Sequence, residues 1–263
     1  MKYKSSQWTP LANKKKLSRY EKFCEKAGKK PRLLKNFRSN PDFGFIVENV
    51  SRERGQDYLQ RIVNHKYFDE SQITHVKKND LVGNPNLERY KMPFGEISPN
   101  TLRYFLNALN IYNFTKNDSI KNVVEVGGGY GGLGRVLSCF ISFCSYTIFD
   151  LQSVNKLQKS YIDNYQNIAD KFSYESEPRK SLNSDLFISN YAFSELGEEL
   201  QKLYYENLIL KCKKAYLILN RGKVSREVFL NMAKDDFNIE IKKEYDLHRP
   251  NGEIYYTKLT KKN

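Results

Sequence analysis

From residue 120 onward, short apolar runs alternate with longer stretches of helical period. Asn122–Val126, Ser145–Phe149, Phe172–Tyr174, Asp185–Asn190 and Ala215–Asn220 are rich in β-branched and aromatic residues and predict strands. Between them Gly132–Phe140, Ser153–Ile168, Glu198–Lys211 and Ser225–Ala233 repeat their apolar positions every three to four residues, as helices do. The chain closes with two extended runs, Ile239–Tyr245 and Glu253–Leu259, parted by the turn signal Arg249-Pro250-Asn251-Gly252. Alternating strands and helices followed by a hairpin predict an α/β fold. Its sheet should be open and mostly parallel, with one antiparallel strand near its C-terminal edge. Residues 1–80 read differently, with scattered apolar positions, few glycines, many charges and amphipathic helices at Ser18–Ala27 and Gln56–Phe68, and a turn-rich stretch follows over 81–100. Ser98 before Pro99 has the N-cap and first-turn proline of a helix expected over Pro99–Leu109. The expected organisation is a helical N-terminal region, 1–119, and an α/β domain, 120–263.

The first predicted strand of that domain runs directly into glycines: Val123-Val124-Glu125-Val126-Gly127-Gly128-Gly129-Tyr130-Gly131-Gly132-Leu133-Gly134. A strand, a tight glycine turn and a helix start seat a nucleotide-like ligand, because the bare backbone can approach it and the helix N–H groups face it. Three further features support that reading. Asp150 ends the second strand, where an acid accepts hydrogen bonds from a ribose diol. Glu125 lies two residues before the glycines. The fourth strand ends in Asn190, followed by Tyr191-Ala192-Phe193-Ser194-Glu195, at the strand end where α/β sheets bind ligands.

Composition narrows the setting. The 263 residues are 40% hydrophobic and 14% aromatic, enough for a real core and for one large domain with a sizeable extension. No apolar run approaches the roughly 20 residues of a membrane helix, and the N-terminus leads into polar sequence, so a cytoplasmic protein is expected. The net charge of +14 is uneven: residues 1–40 hold thirteen lysines and arginines against Glu21 and Glu25. Such an excess attracts nucleic acid, an acidic membrane surface or a phosphorylated small substrate. Lysine-rich sequence with many Asn and Ile is also what an AT-rich genome encodes. The cysteines, Cys24, Cys139, Cys144 and Cys212, form no ligand-like pattern and read as free thiols, and no metal site is expected.

Gly127-x-Gly129-x-Gly131, preceded by Glu125, resembles the E/D-x-G-x-G-x-G loop of class I S-adenosylmethionine methyltransferases, whose Rossmann-like sheet also ends in a hairpin. The chain is further similar to the sugar O-methyltransferases of bacterial capsule and lipopolysaccharide gene clusters. The similarity covers roughly residues 80–260. It rests on Gly83-Asn84-Pro85, on Ile97-Ser98-Pro99-Asn100-Thr101-Leu102-Arg103-Tyr104 and on the Gly-Gly-Gly-Tyr-Gly-Gly block. Tyr146-Thr147-Ile148-Phe149-Asp150-Leu151 and Ile188-Ser189-Asn190-Tyr191-Ala192-Phe193-Ser194-Glu195-Leu196 complete it. That family often carries a His-Pro-x-Asn element before its last strand; here His248-Arg249-Pro250-Asn251 has one residue inserted.

The resemblance implies a bacterial enzyme that binds S-adenosylmethionine and releases S-adenosylhomocysteine. Glu125, Gly127, Gly129, Tyr130, Gly131, Asp150, Leu151, Asn190 and Tyr191 would contact the cofactor, with Tyr130 covering its methionine part. Methyl would pass to a hydroxyl of a capsule or lipopolysaccharide sugar, nucleotide-activated or as a polysaccharide precursor, or to a phosphate-type modification of the same pathway. A hydroxyl is a poor nucleophile at neutral pH, so a general base is needed; His248 and Glu195 are the candidates. Arg103 would meet the cofactor carboxylate or an acceptor phosphate, with Tyr104 beside it on the acceptor side. His65 and His75 either reach over the site or lie on the surface. The N-terminal region would serve as lid and acceptor pocket, or as the arm of a homodimer. The alternative is an RNA methyltransferase using the basic segment, although no RNA-binding module or Asn-Pro-Pro-Tyr motif accompanies it. A dehydrogenase and a non-catalytic cofactor-binding protein complete the alternatives.

Overall fold

The computed structural model describes residues 14–178, 182–220, 223–244 and 254–262. Before the large sheet come α1 (Lys14–Ala27), α2 (Pro31–Leu34), α3 (Pro41–Gly44), α4 (Arg52–Val63), α5 (Ser71–Lys77), a two-stranded ribbon of β1 (Glu88–Arg89) and β2 (Glu96–Ile97), and α6 (Pro99–Thr115). The α/β part is β3 (Asn122–Val126), α7 (Gly132–Leu137), β4 (Ser145–Phe149), α8 (Gln152–Ile162), α9 (Gln166–Ala169), β5 (Phe172–Glu175) and β6 (Ser184–Asn190). It continues through α10 (Glu198–Asn207), β7 (Cys212–Leu219), α11 (Lys223–Ala233), β8 (Phe237–Glu244) and β9 (Ile254–Lys261).

Seven strands form one sheet in the order β5-β4-β3-β6-β7-β9-β8, and only β9 runs against the others. This is the open, mostly parallel sheet with one antiparallel strand expected from the alternating pattern. The strand order reverses between β3 and β6, and the crevice above their C-terminal ends is the ligand position of such sheets. Both faces are covered, which is why the strands read as near-continuous apolar runs. Val123, Ile148, Leu186, Ile188 and Tyr216 face a cluster shared with the N-terminal helices. Val124, Val126, Phe187, Ala215 and Leu217 face α10 and α11.

The N-terminal helices are laid onto the sheet by their own apolar stripes. Leu102, Phe105, Leu106 and Leu109 of α6 are fully buried, and Tyr58, Leu59 and Ile62 of α4 pack with them. Ser98 caps α6 by accepting from the Asn100 N–H, as its place before Pro99 predicts. The helix runs six residues past its expected end at Leu109, because the apolar stripe continues through Ile111 to Thr115. At the other side α1 crosses α8. The Lys156 ammonium pairs with Glu25 at 2.9 Å, and the Ser160 hydroxyl donates to the Gly28 carbonyl at 2.7 Å. A Cβ on Gly28 would lie 2.6 Å from the Lys156 backbone carbon. Gly28→Ala should therefore push the two helices apart and cost about 1–3 kcal/mol, read as a lower denaturation midpoint.

Candidate cofactor and acceptor site

Gly127, Gly129 and Gly131 all take positive φ, at 76°, 59° and 89°. At Gly127 the close approach is as important as the dihedral, since a Cβ there would sit 2.0 Å from the Cβ of Ala192. The loop is tied down by the Gly127 N–H donating to Phe149 O (2.9 Å) and the Gly131 N–H to Gly128 O (2.8 Å). Gly131 is the N-cap of α7, so the first amides of that helix point to the crevice.

Two carboxylates flank the loop. Glu125 is buried on β3 and accepts a 2.8 Å hydrogen bond from the Tyr146 hydroxyl. Burial pushes its pKa up to about 7, with the charge of Asp150 adding to the rise and the Tyr146 bond opposing it. Asp150 follows β4 and is 7% exposed. Its Oδ1 accepts from the Leu151 N–H and its Oδ2 from the Gln158 amide, each at 2.8 Å. Burial likewise raises its pKa to about 7 against those two bonds. Gln158 also donates to Gly129 O at 3.1 Å, so a single side chain on α8 links the acid to the glycine loop. Gln158 carries no motif signal; its role is visible only once α8 is placed beside the loop.

The raised values set a pH dependence. The ionised Asp150 accepts from a diol more strongly than the neutral acid does, and its folded pKa lies above the ordinary carboxylate range. Affinity for a diol-bearing ligand should thus be full above about pH 7 and fall below it, by at most about tenfold per pH unit. Asp150→Asn should flatten the Asp150 part of this profile, measured by titration between pH 5.5 and 8.5. In the ligand-free protein the same raised values favour the folded state at low pH and withdraw that contribution as pH rises through about 7.

At the end of β6, Asn190 Oδ1 is buried without a hydrogen-bond partner among the described residues. Tyr191 takes φ 73°, a strained value for a residue with a side chain, and its N–H donates to Ile218 O at 2.8 Å. Ser194 donates to Asn220 Oδ1 at 2.7 Å, and Asn220 donates to Glu195 Oε1 at 3.1 Å. Glu195, half-buried, is thus anchored beside the crevice edge by an amide. Arg103 on α6 donates to Val47 O at 3.1 Å and lies over the rings of Tyr104 (5.6 Å) and Tyr191 (5.8 Å). A Cβ on Gly129 would be 3.3 Å from Val47 and 3.6 Å from the Tyr104 hydroxyl, which sets both residues against the loop.

Tyr130 departs from the expectation. Its side chain is fully buried. It packs edge-on to Tyr161 (4.8 Å) and Phe37 (5.4 Å), under the Arg38 guanidinium (4.8 Å), and its hydroxyl accepts from Asn79 at 3.0 Å. Its side chain ties the loop to the N-terminal helices. Arg38, although it belongs to the basic segment, is buried. It donates to Glu48 (2.7 Å), Asp80 (2.9 Å) and Asn79 O (2.9 Å), entirely inside the protein. Arg19 and Lys29 of the basic segment are likewise paired, with Asp42 and Glu25. His65 is half-buried against Tyr67, its pKa lowered by burial and by Lys66, and His75 is exposed. His248 lies outside the described residues.

No family model matches this chain, and no curated protein does. Among solved structures it is similar to the methyltransferase domain of bacterial CtHen1, at 14% identity over 60% of this chain and 97% of that one, with a TM-score of 0.47. It is similar also to the N-methyltransferase NodS from Bradyrhizobium japonicum in complex with S-adenosyl-l-homocysteine (11%, 61% and 87%, TM-score 0.49). A third likeness is to the pyocyanin biosynthetic protein PhzM (14%, 61% and 58%, TM-score 0.42). Values this low assign neither reaction nor acceptor, which have to come from the residues of this chain.

Proposed function

We propose that this chain is an S-adenosylmethionine-dependent O-methyltransferase whose acceptor is a sugar hydroxyl, carried on a nucleotide-activated or otherwise phosphorylated precursor of a surface polysaccharide. The observation that carries the reading is the set of groups around one crevice: Glu125, three glycines at positive φ, Asp150, and Asn190 Oδ1, unpartnered among the described residues, at the switch point. These residues fit the cofactor. Asp150 suits the ribose diol, the bare glycine backbone suits the amino-acid moiety, and Asn190 Oδ1 is an acceptor in want of a donor. When bound, S-adenosylmethionine supplies a sulfonium-activated methyl group.

The chain's part is to orient and to manage a proton. Holding the acceptor hydroxyl in line is worth several orders of magnitude by itself. The leaving proton needs a base, and Glu195 and His248 are the proposed ones. Arg103, held between Tyr104 and Tyr191, is the proposed anchor for an anionic group on the acceptor. The N-terminal helices, packed over the glycine loop through Val47, Tyr104 and Tyr130, would form the wall of the acceptor pocket.

Methyl transfer from labelled S-adenosylmethionine to nucleotide sugars, with bulk RNA in parallel, tests this. Label in a nucleotide sugar, with loss of at least tenfold in Arg103→Ala, is expected. The basic segment of residues 1–40 favours a second reading, RNA methylation; label in RNA alone, with steep salt dependence, would replace the sugar acceptor with that one.

A further inference from the structure

Glu244 ends β8 at the C-terminal end of the parallel strands, the end of the sheet at which Asn190 and Asp150 also lie. It is 4% exposed, yet it is not a simple structural ion pair. Its Oε1 takes two donors, the Arg61 guanidinium at 2.7 Å and the Tyr256 hydroxyl at 2.6 Å. Arg61 also donates to that hydroxyl at 3.1 Å, closing a rigid triangle. Its Oε2 is buried and has no hydrogen-bond partner among the described residues. A buried carboxylate oxygen without a donor is costly, and native structures rarely leave one so. The surroundings are polar and aromatic. Ile218 of β7 pairs with Asn190 on one side and with Tyr256 on the other, Arg61 of α4 reaches the Tyr256 hydroxyl, and Arg103 of α6 lies 5.8 Å over the Tyr191 ring, which places α4, α6 and the end of β6 around one space. Arg54 donates to the Tyr58 hydroxyl at 3.4 Å, so its guanidinium faces the same wall.

We propose that Glu244 is an acceptor-binding residue: its Oε2 takes a hydrogen bond from a hydroxyl of a polyhydroxylated, anionic acceptor, while Arg103 and Arg54 meet the acceptor's phosphate. Arg61 and Tyr256 hold the carboxylate through Oε1, which leaves Oε2, unpartnered among the described residues, to meet a ligand. A sugar phosphate has the required pair of features, a hydroxyl donor and an anion. This inference rests on the sugar-methyltransferase reading and names the side chains that select its substrate. Nothing in the sequence marks Glu244, which sits in an alternating, charged edge strand.

The test is calorimetric titration of UDP-glucose, UDP-galactose and GDP-mannose into the protein saturated with S-adenosylhomocysteine, beside a separate titration of S-adenosylhomocysteine itself. The wild type should bind at least one nucleotide sugar. Glu244→Gln should weaken that binding at least tenfold, about 1.4 kcal/mol, while affinity for S-adenosylhomocysteine stays within twofold. If Glu244→Gln no longer binds S-adenosylhomocysteine, Glu244→Asp, which keeps the charge and withdraws it by one methylene, should show the same selective loss. Unchanged sugar affinity in a variant that binds S-adenosylhomocysteine would overturn the role of Glu244 and leave the methyltransferase reading standing. Binding of S-adenosylhomocysteine but of no nucleotide sugar by the wild type would overturn the sugar acceptor and this inference with it. No binding of S-adenosylhomocysteine would overturn the reading on which both rest.

Discussion

Arg38→Ala is expected to destabilise the protein by about 3–5 kcal/mol, the range for removing one partner of a buried ion pair. The side chain has no solvent exposure, and its two carboxylate partners, Glu48 and Asp80, are 8% exposed each. Alanine would leave both acids inside the protein without their cation. It would also strip the Asn79 carbonyl of a donor and weaken contacts to Ser98 and Thr101 at the start of α6. In thermal unfolding the loss should appear as a fall of roughly 6–20 °C in midpoint for a chain of this size. Arg38→Lys should fall between, since an ammonium keeps the charge but cannot reach acceptors on several sides at once. The Arg38 guanidinium lies over Tyr130, so the variant should also loosen the glycine loop and weaken S-adenosylhomocysteine binding. A shift of less than 3 °C for Arg38→Ala would show that the network contributes little and that the N-terminal helices are held by apolar packing alone.

Gly127→Ala should cost the cofactor site most of its affinity, at least 100-fold or about 2.7 kcal/mol. Two effects add at this position. A φ of 76° is unfavourable for any residue with a Cβ, by about 1–2 kcal/mol. The new methyl would also overlap the Ala192 Cβ, 2.0 Å away, forcing apart the loop after β3 and the turn after β6. Those are the two elements that meet at the switch point, so the displacement falls on the crevice itself. Gly44→Ala is the matching control: a Cβ there meets nothing within 4 Å, and its helical position favours alanine. Titration with S-adenosylhomocysteine should separate the two variants cleanly, with Gly44→Ala within twofold of wild type.

Much of this architecture is written locally. The five parallel strands and the closing hairpin follow from period-two and period-3.6 patterns that each act over a few residues, and their observed ranges differ from the expected ones by only a few residues. The crevice was legible for the same reason. Glycines, a preceding acid and an acid at the next strand end are all read within or just beside a strand. What was not legible depends on partners far apart in the chain. Tyr130 in a glycine loop looks like a ligand cover until Phe37, Asn79 and Tyr161 are folded around it. Arg38 looks like one more surface cation in a basic segment until Glu48, Asp80 and Ser98 enclose it. Gln158 and Glu244 lie in unremarkable helical and strand sequence, and each acquires meaning only from a neighbour more than ten residues away, Gly129 and Arg61. The short helices α2, α3 and α5 and the β1–β2 ribbon escaped notice because their runs are too brief to show a period.

The central claim is that the crevice above β3 and β6 binds S-adenosylmethionine, and calorimetric titration of S-adenosylhomocysteine into wild type and Asp150→Ala tests it most directly. The account predicts micromolar binding by the wild type, about 8 kcal/mol, and a loss of at least tenfold in the variant. A folded wild type that ignores S-adenosylhomocysteine and binds NAD instead would contradict it and return the glycine loop to a dehydrogenase.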